Sequence, residues 1–344
     1  MGWSRGALES IKSCPACGVT IRDEGRTYKR RDDDGKMPDV WTMHYCENCH
    51  SIYLNPRPDA TSLPAAYEDY LTHVEQNTYE EIYSRTGIFW TLVRGYLRGG
   101  FNIDFDSSCK WGYLIIRSFP PARQKLDRFC RNLNLNRLRG FGRLLDVGCG
   151  NGAFLAFAEK MGWKAEGVEP DPVAANLCAE KGLDVRCGFI DEMDDRQGVY
   201  DVLTMNHVIE HAANLDHIMI KSFALLRPGG LLWIALPNPN GLGLKMFGAA
   251  FSALHPPYHL CLYSQRSLRD AMHRAGFDGV RVIRRGFHAR VHWRDSLKIS
   301  KKYSLAIPHA QIRYVVRWIS DFLSVFTPRW SEETVIIAYR PINS

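Results

Sequence analysis

The sequence lacks any uninterrupted apolar run of 18 residues, so no segment is a candidate for a membrane-spanning helix. Its opening stretch, MGWSRGALESIKSCPACG, has no apolar core of the kind a secretory signal needs. Gly6 stands where a myristoylation signal requires Ser or Thr, which removes Gly2 as a lipid acceptor. These absences predict a cytoplasmic chain in a reducing compartment. Its ten cysteines are then thiols or metal ligands rather than disulfides. There is no internal repeat and no low-complexity tract, which excludes solenoids and long disordered arms.

What is present describes a globular protein: 344 residues, 45% hydrophobic and 24% charged. That length holds two domains, or one domain with an appended module. The net charge of +7 favours anionic partners without naming them. The charge is concentrated, since Arg85 to Arg143 carries twelve Lys/Arg against three acids. Such a stretch suits RNA, an anionic lipid surface or a diphosphate, or is simply a solvated helical face.

Three regions follow from the pattern. Residues 1–60 are rich in cysteine and turn formers, and 61–140 read as basic helices broken at Gly99-Gly100 and Pro120-Pro121. Residues 141–344 alternate short apolar runs with amphipathic segments, the signature of βαβ units, with a helical insertion near 300–328. Strands are predicted at Leu144–Val147, Lys164–Glu169, Asp184–Cys187, Tyr200–Met205, Leu231–Leu236, Val280–Ile283 and Thr334–Tyr339.

In the first region Cys14-Pro15-Ala16-Cys17 and Cys46-Glu47-Asn48-Cys49 are paired C-x-x-C knuckles, 28 residues apart. Four thiolates at about 2.3 Å close a tetrahedral structural zinc site, and the alternating Trp41, Met43 and Tyr45 between the knuckles predict a hairpin. His50, next to the second knuckle, is a spare ligand.

In the third region a strand enters Gly148-Cys149-Gly150-Asn151-Gly152 and a helix follows. Glycines permit a tight turn and close approach of a ligand to the main chain, and amides at the helix start face an anionic or polar group. Glu169 lies 21 residues after Gly148, at the end of the next strand, where a carboxylate accepts from both hydroxyls of a ribose. The G-x-G-x-G spacing distinguishes the loop from the G-x-G-x-x-G of nicotinamide enzymes. Asp146, at the strand end, is placed to reach the ammonium of a methionine moiety through the loop and ordered water. Cys149 reads as a small residue tolerated in the turn rather than as a nucleophile.

With the stretches LLDVGCGNGAFL, GVEPDP, YDVLTMNHVIEH, LLRPGGLLWIALPN and HPPYHLCLYSQRSLRDAMHRAGF, residues 143 to about 280 resemble the class I S-adenosylmethionine-dependent methyltransferases. The resemblance implies an α/β, Rossmann-like seven-stranded sheet in the order 3-2-1-4-5-7-6, its seventh strand antiparallel. It implies S-adenosylmethionine as cofactor, with Gly148, Gly150 and Gly152 at its methionine end and Glu169 on the ribose. Phe189 and Ile190 would flank the adenine, and Asn206 and His207 would floor the sulfonium. Many relatives carry Asp directly after the glycine that follows strand three, where this chain has Phe189.

The knuckles, Tyr67-Glu68-Asp69-Tyr70 and the HPPYHL segment further resemble methyltransferases of glycan and polysaccharide biosynthesis. That implies O-methylation of a sugar hydroxyl on a nucleotide sugar or lipid-linked glycan. Such an acceptor needs a base, and His207, His259 and His255 are the candidates, with His211 behind them. His207, Glu210 and His211 also suggest a metal site, although no third ligand is evident from spacing. The aromatic Ile312–Phe326 and the basic stretch would allow peripheral membrane contact, or the helix covers a sheet edge. Alternatives are an rRNA or tRNA methyltransferase and a sugar C-methyltransferase. A binding protein that keeps the fold without catalysis is the non-enzyme alternative. Against RNA, no N-P-P-Y motif follows the fourth strand.

Overall fold

A computed structural model describes residues 3, 5–21, 25–31, 39–63, 79–134, 142–307 and 310–342. The Tyr67–Tyr70 motif lies outside the described residues. Near the N-terminus lie β1 (Leu8–Glu9), β2 (Thr27–Arg31), β3 (Val40–Tyr45), β4 (Ile52–Leu54) and β5 (Arg57–Pro58). The helices α1 (Ile88–Phe101), α2 (Gly112–Arg117) and α3 (Pro120–Phe129) follow. The large sheet begins with β6 (Arg143–Val147), α4 (Ala153–Lys160), β7 (Lys164–Glu169), α5 (Pro172–Glu180) and β8 (Val185–Cys187). It continues through β9 (Tyr200–Asn206), α6 (Leu215–Leu225), β10 (Leu226–Pro237) and α7 (Leu242–Phe247). The remaining elements are β11 (Cys261–Leu262), α8 (Gln265–Arg274), β12 (Asp278–Ile283), α9 (Ala289–Tyr303), α10 (Arg313–Phe326) and β13 (Glu333–Tyr339).

The seven-stranded sheet runs β8-β7-β6-β9-β10-β13-β12. In order of appearance that is 3-2-1-4-5-7-6, and β13 is antiparallel to both neighbours, as the resemblance implied. The central strands are apolar on both sides because both faces are covered. In β10, Leu232, Ile234 and Leu236 enter one core with α6 and α8, while Leu231, Trp233 and Ala235 enter another with α1 and α4. Caps sit where the sequence supplies them: Asp171 accepts from Val173 N, and Ser264 accepts from Ser267 N.

Two boundaries differ most from expectation. β10 starts at Leu226, since Leu226 still pairs with Tyr200 before the register shifts ahead of Leu231. The helical insertion begins at Ala289 and consists of two helices, α9 and α10.

The cysteine-rich region is joined to the large domain. The expected hairpin is present as β2 and β3. It extends to a four-stranded sheet whose last strand, β11, belongs to the segment after HPPYHL and pairs with β4. Cys14, Cys46, Cys49 and Tyr53 share a hydrophobic core with Leu203, Leu232 and Leu268.

A buried carboxyl ties the insertion to the sheet edge. Glu332 accepts from Gly243 N at 2.8 and 2.9 Å, Trp293 Nε1 at 3.0 Å and Ser320 Oγ at 3.0 Å. Burial outweighs these donors and raises its pKa from 4.5 to about 7. The native state therefore holds the proton more tightly than the unfolded chain. The associated stability is complete below pH 4.5 and is lost as pH rises through 7. At about 1.4 kcal/mol per unit the loss is of the order of 3 kcal/mol. Melting temperature is expected to fall between pH 5 and 8, and Glu332→Gln to flatten that fall. An identical slope in the variant would assign it to other groups.

Candidate active site

The glycine loop lies at the carboxyl ends of β6 and β7, beside the switch in strand order between β7 and β9 where α/β sheets open a crevice. Gly148, Gly150 and Gly152 all have left-handed φ, at 66°, 56° and 76°. A Cβ on Gly148 would stand 2.6 Å from Val208, and one on Gly152 2.4 Å from Leu183, so both positions require the missing side chain. Glu169, buried at the end of β7, accepts from Gly150 N at 2.7 Å and Asp171 N at 3.1 Å. Burial raises its pKa, and the two amides pull it back toward the carboxylate. The loop and the acid thus form one unit from residues nearly twenty apart.

Asn206 ends β9 and His207 follows it, and their partners were not legible in the sequence. His207 is left-handed with φ 57°, and its amide donates to Ala235 O at 2.8 Å. Its ring bonds Glu210 through Nδ1 at 3.1 Å and Glu333 through Nε2 at 3.0 Å. Burial alone would lower its pKa, but the two carboxylates prevail and lift it to about 9. With both nitrogens donating, the ring is an imidazolium clamp at neutral pH and holds no lone pair to serve as base.

Glu333 is the hub that sequence reasoning missed. Arg128 bonds both its oxygens at 2.6 and 2.8 Å, and Arg285 also pairs with it. Burial opposes its charge, yet the two guanidiniums hold its pKa well below the usual range. Arg128 also donates to Asn206 Oδ1 at 2.6 Å. Glu333 opens the last strand, some 130 positions from Asn206 in the chain, and no local signal announces it.

Asp146 is fully buried and accepts from Thr204 Oγ1 at 2.9 Å and from the Arg131 guanidinium. Arg131 lies over the Phe154 ring, 3.5 Å from its centroid. Its Oδ1 is thus taken up by a cation of the protein itself, while its Oδ2 is buried without a hydrogen-bond partner among the described residues. Arg94 is likewise buried, donating to the carbonyls of Ile82, Arg85 and Ser107. Part of the basic stretch therefore neutralises internal acceptors instead of facing an external anion.

Phe189 is 68% exposed and Ile190 is buried, both following Gly188 after β8. Cys149 is buried, and its hydrogen bond with Cys178, together with burial, pushes its thiol pKa up, which disfavours a nucleophile. The other candidate bases form a group: the His211 and His259 ring centroids are 4.8 Å apart, and those of His255 and His259 5.2 Å. Burial lowers the pKa of all three, that of His255 to about 3.

The cysteine knuckles converge. Cys14 Sγ is 3.8 Å from Cys49 Sγ, and Cys17 Sγ is 3.7 Å from Cys46 Sγ. Sulfurs about 2.3 Å from one tetrahedral ion are separated by about 3.8 Å, whereas a disulfide needs about 2.05 Å. The donor set thus fits zinc. Each knuckle ends in a left-handed residue, Gly18 or His50, whose amide returns to Cys14 O or Cys46 O at 2.8 Å. His50 is not among the converging ligand atoms, which are the four thiols, and its Nδ1 bonds Tyr45 Oη at 2.8 Å.

Residues 121–282 match the family model described as "Methyltransferase domain". Among curated proteins, the chain is similar to a "Ubiquinone biosynthesis O-methyltransferase" of Bradyrhizobium sp. (strain ORS 278), 35% identical over 138 residues, covering 38% of this chain and 53% of that one. A protein of the same name from Nitrobacter winogradskyi is 36% identical over 125 residues, covering 35% and 46%. The chain thus spans about half the length of the curated relatives it matches. Among solved structures, a "SAM dependent methyltransferase" from Archaeoglobus fulgidus aligns with 66% of this chain and 98% of its own at 19% identity, with a TM-score of 0.44.

Proposed function

We propose that this chain is an S-adenosylmethionine-dependent methyltransferase acting on a hydroxyl oxygen. The observation that carries the reading is the loop of three left-handed glycines joined to buried Glu169, within a segment that matches a methyltransferase-domain model. Gly148, Gly150 and Gly152 would hold the methionine end of the cofactor, Glu169 its ribose, Phe189 and Ile190 its adenine, with Asn206 and His207 beneath the sulfonium. Bound there, the cofactor supplies an electrophilic methyl group. The chain's part is to align the acceptor oxygen and keep water away. Asp146, whose Oδ1 pairs with Arg131 and whose buried Oδ2 has no hydrogen-bond partner among the described residues, would reach the ammonium through the loop and ordered water.

The sugar hydroxyl suggested by the HPPYHL segment finds no support among the relatives, whose name places their O-methylation in ubiquinone biosynthesis. That name favours a ring hydroxyl of an aromatic acceptor, and both acceptor classes present the same reacting group. Transfer of labelled methyl should appear in a dihydroxyaromatic or glycan fraction. Label in RNA alone, or no heat of binding with S-adenosylmethionine, would overturn the reading.

A membrane-borne acceptor fits the surface of α10. Its buried side carries Ser320, Asp321, Ser324 and Val325, while Tyr314, Val315, Trp318, Ile319, Phe322 and Phe326 are exposed. Leu114 and Ile115 of α2 are exposed too, alongside Arg117. An aromatic face on a basic chain suits an anionic lipid surface. The chain is expected to sediment with phosphatidylglycerol-containing vesicles, and Trp318→Ser with Phe322→Ser to reduce that at least tenfold. Absence of sedimentation at low salt would remove the lipid partner.

A further inference from the structure

Beside His207 stands a cluster that cofactor binding does not use. Glu210 is fully buried; its Oε1 takes His207 Nδ1, but its Oε2 has no hydrogen-bond partner although it too is buried. A carboxylate oxygen in that position is costly unless a cation or proton meets it. His211 and His259 surround it, and one ligand atom from each of the three residues lies within 4.8 Å of the others.

Both imidazoles are anchored alike. His211 Nδ1 bonds Tyr258 O at 3.0 Å, and His259 Nδ1 bonds Ala253 O at 2.8 Å. A carbonyl only accepts, so each Nδ1 carries a proton and each neutral ring holds its lone pair on Nε2. Metal-bound histidines are oriented in this way, through a remote N–H on a backbone carbonyl. The backbone fixes the same geometry, with Leu260 N donating to Glu210 O at 2.8 Å and His259 N to His255 O at 3.1 Å.

We infer that Glu210, His211 and His259 bind one divalent transition-metal ion whose open positions receive the acceptor hydroxyl. Two imidazoles and one carboxylate favour zinc, iron(II) or cobalt(II) over magnesium or calcium, which prefer oxygen. The third ligand, His259, is some 50 positions from the Glu210–His211 pair and reaches it only through the fold. The assigned role rests on the O-methyltransferase reading. A hydroxyl on such an ion loses its proton to solvent more readily, which His207 cannot arrange. Its oxygen then bonds the methyl carbon as the carbon–sulfur bond breaks, the electron pair remaining on sulfur.

The test is titration of the full chain with Co2+ after mild chelation that leaves zinc on the four cysteines. One equivalent is expected, with weak visible bands and no thiolate charge transfer. Glu210→Gln and His259→Gln should each weaken it at least tenfold while retaining the cysteine-bound zinc, which reports that they are folded. No binding by the parent chain, or undiminished binding by both folded variants, overturns the site. Cobalt binding without any heat from S-adenosylmethionine would leave the site standing and remove the transfer reading. Full methyl transfer by a Glu210→Gln chain that has lost the ion would refute the assigned role.

Discussion

Glu169→Ala is expected to weaken S-adenosylmethionine binding about a hundredfold, measured by calorimetry. Hydrogen bonds to a charged acceptor contribute about 1.5–3 kcal/mol each, and a ribose offers this carboxylate two hydroxyls. The substitution also strips the acceptor from Gly150 N and Asp171 N, so part of the loss would come from a loosened loop. Glu169→Gln separates the contributions. It keeps an acceptor oxygen for one of the two loop amides but removes the charge and sets an amide nitrogen against the other, and should retain more affinity than alanine. A folded Glu169→Ala chain that binds the cofactor as tightly as the parent would falsify the placement of the ribose.

Cys49→Ser is expected to release zinc and to lower the melting temperature by more than about 10 °C. A structural zinc ion contributes about 10–16 kcal/mol to small zinc-binding peptides, and removing one of four thiolates forfeits much of that. The effect should extend beyond the N-terminal region. Cys49 O accepts from Ser264 Oγ at 2.6 Å, and Ser264 caps α8. β4 also pairs with β11, next to His259. Weaker cobalt binding at Glu210, His211 and His259 should therefore accompany zinc loss. The readouts are zinc content and thermal unfolding. A parent chain purified without zinc, or a variant melting at the parental temperature, would show the cysteines to be ordinary thiols.

Both experiments probe features that were legible as short motifs. A strand, three glycines and a helix cap are local, because φ above zero and an unfilled Cβ position are demands on single residues. The C-x-x-C pairs are local for the same reason, since one turn fixes two sulfurs. Sheet order was legible only through resemblance, as hydrophobic alternation says that a strand is buried on both faces and not which strand lies beside it. The roles of individual polar side chains were the least legible. Asp146 looked like a cofactor contact, and the buried Arg131 pairs with one of its two oxygens. His207 looked like a candidate base, and Glu210 with Glu333 made it a clamp.

The sequence by itself determined the glycine turn with its acid, the paired thiolate knuckles and the seven strands, because each depends on residues close together in the chain. Only the tertiary structure decided where the charges go. Glu333 meets His207 and is itself met by Arg128 and Arg285, each from a separate segment, and His259 joins Glu210 and His211 from another loop. The physical reason is desolvation: a buried ionised group must find a partner, and that partner is chosen by proximity in space rather than by position in the chain.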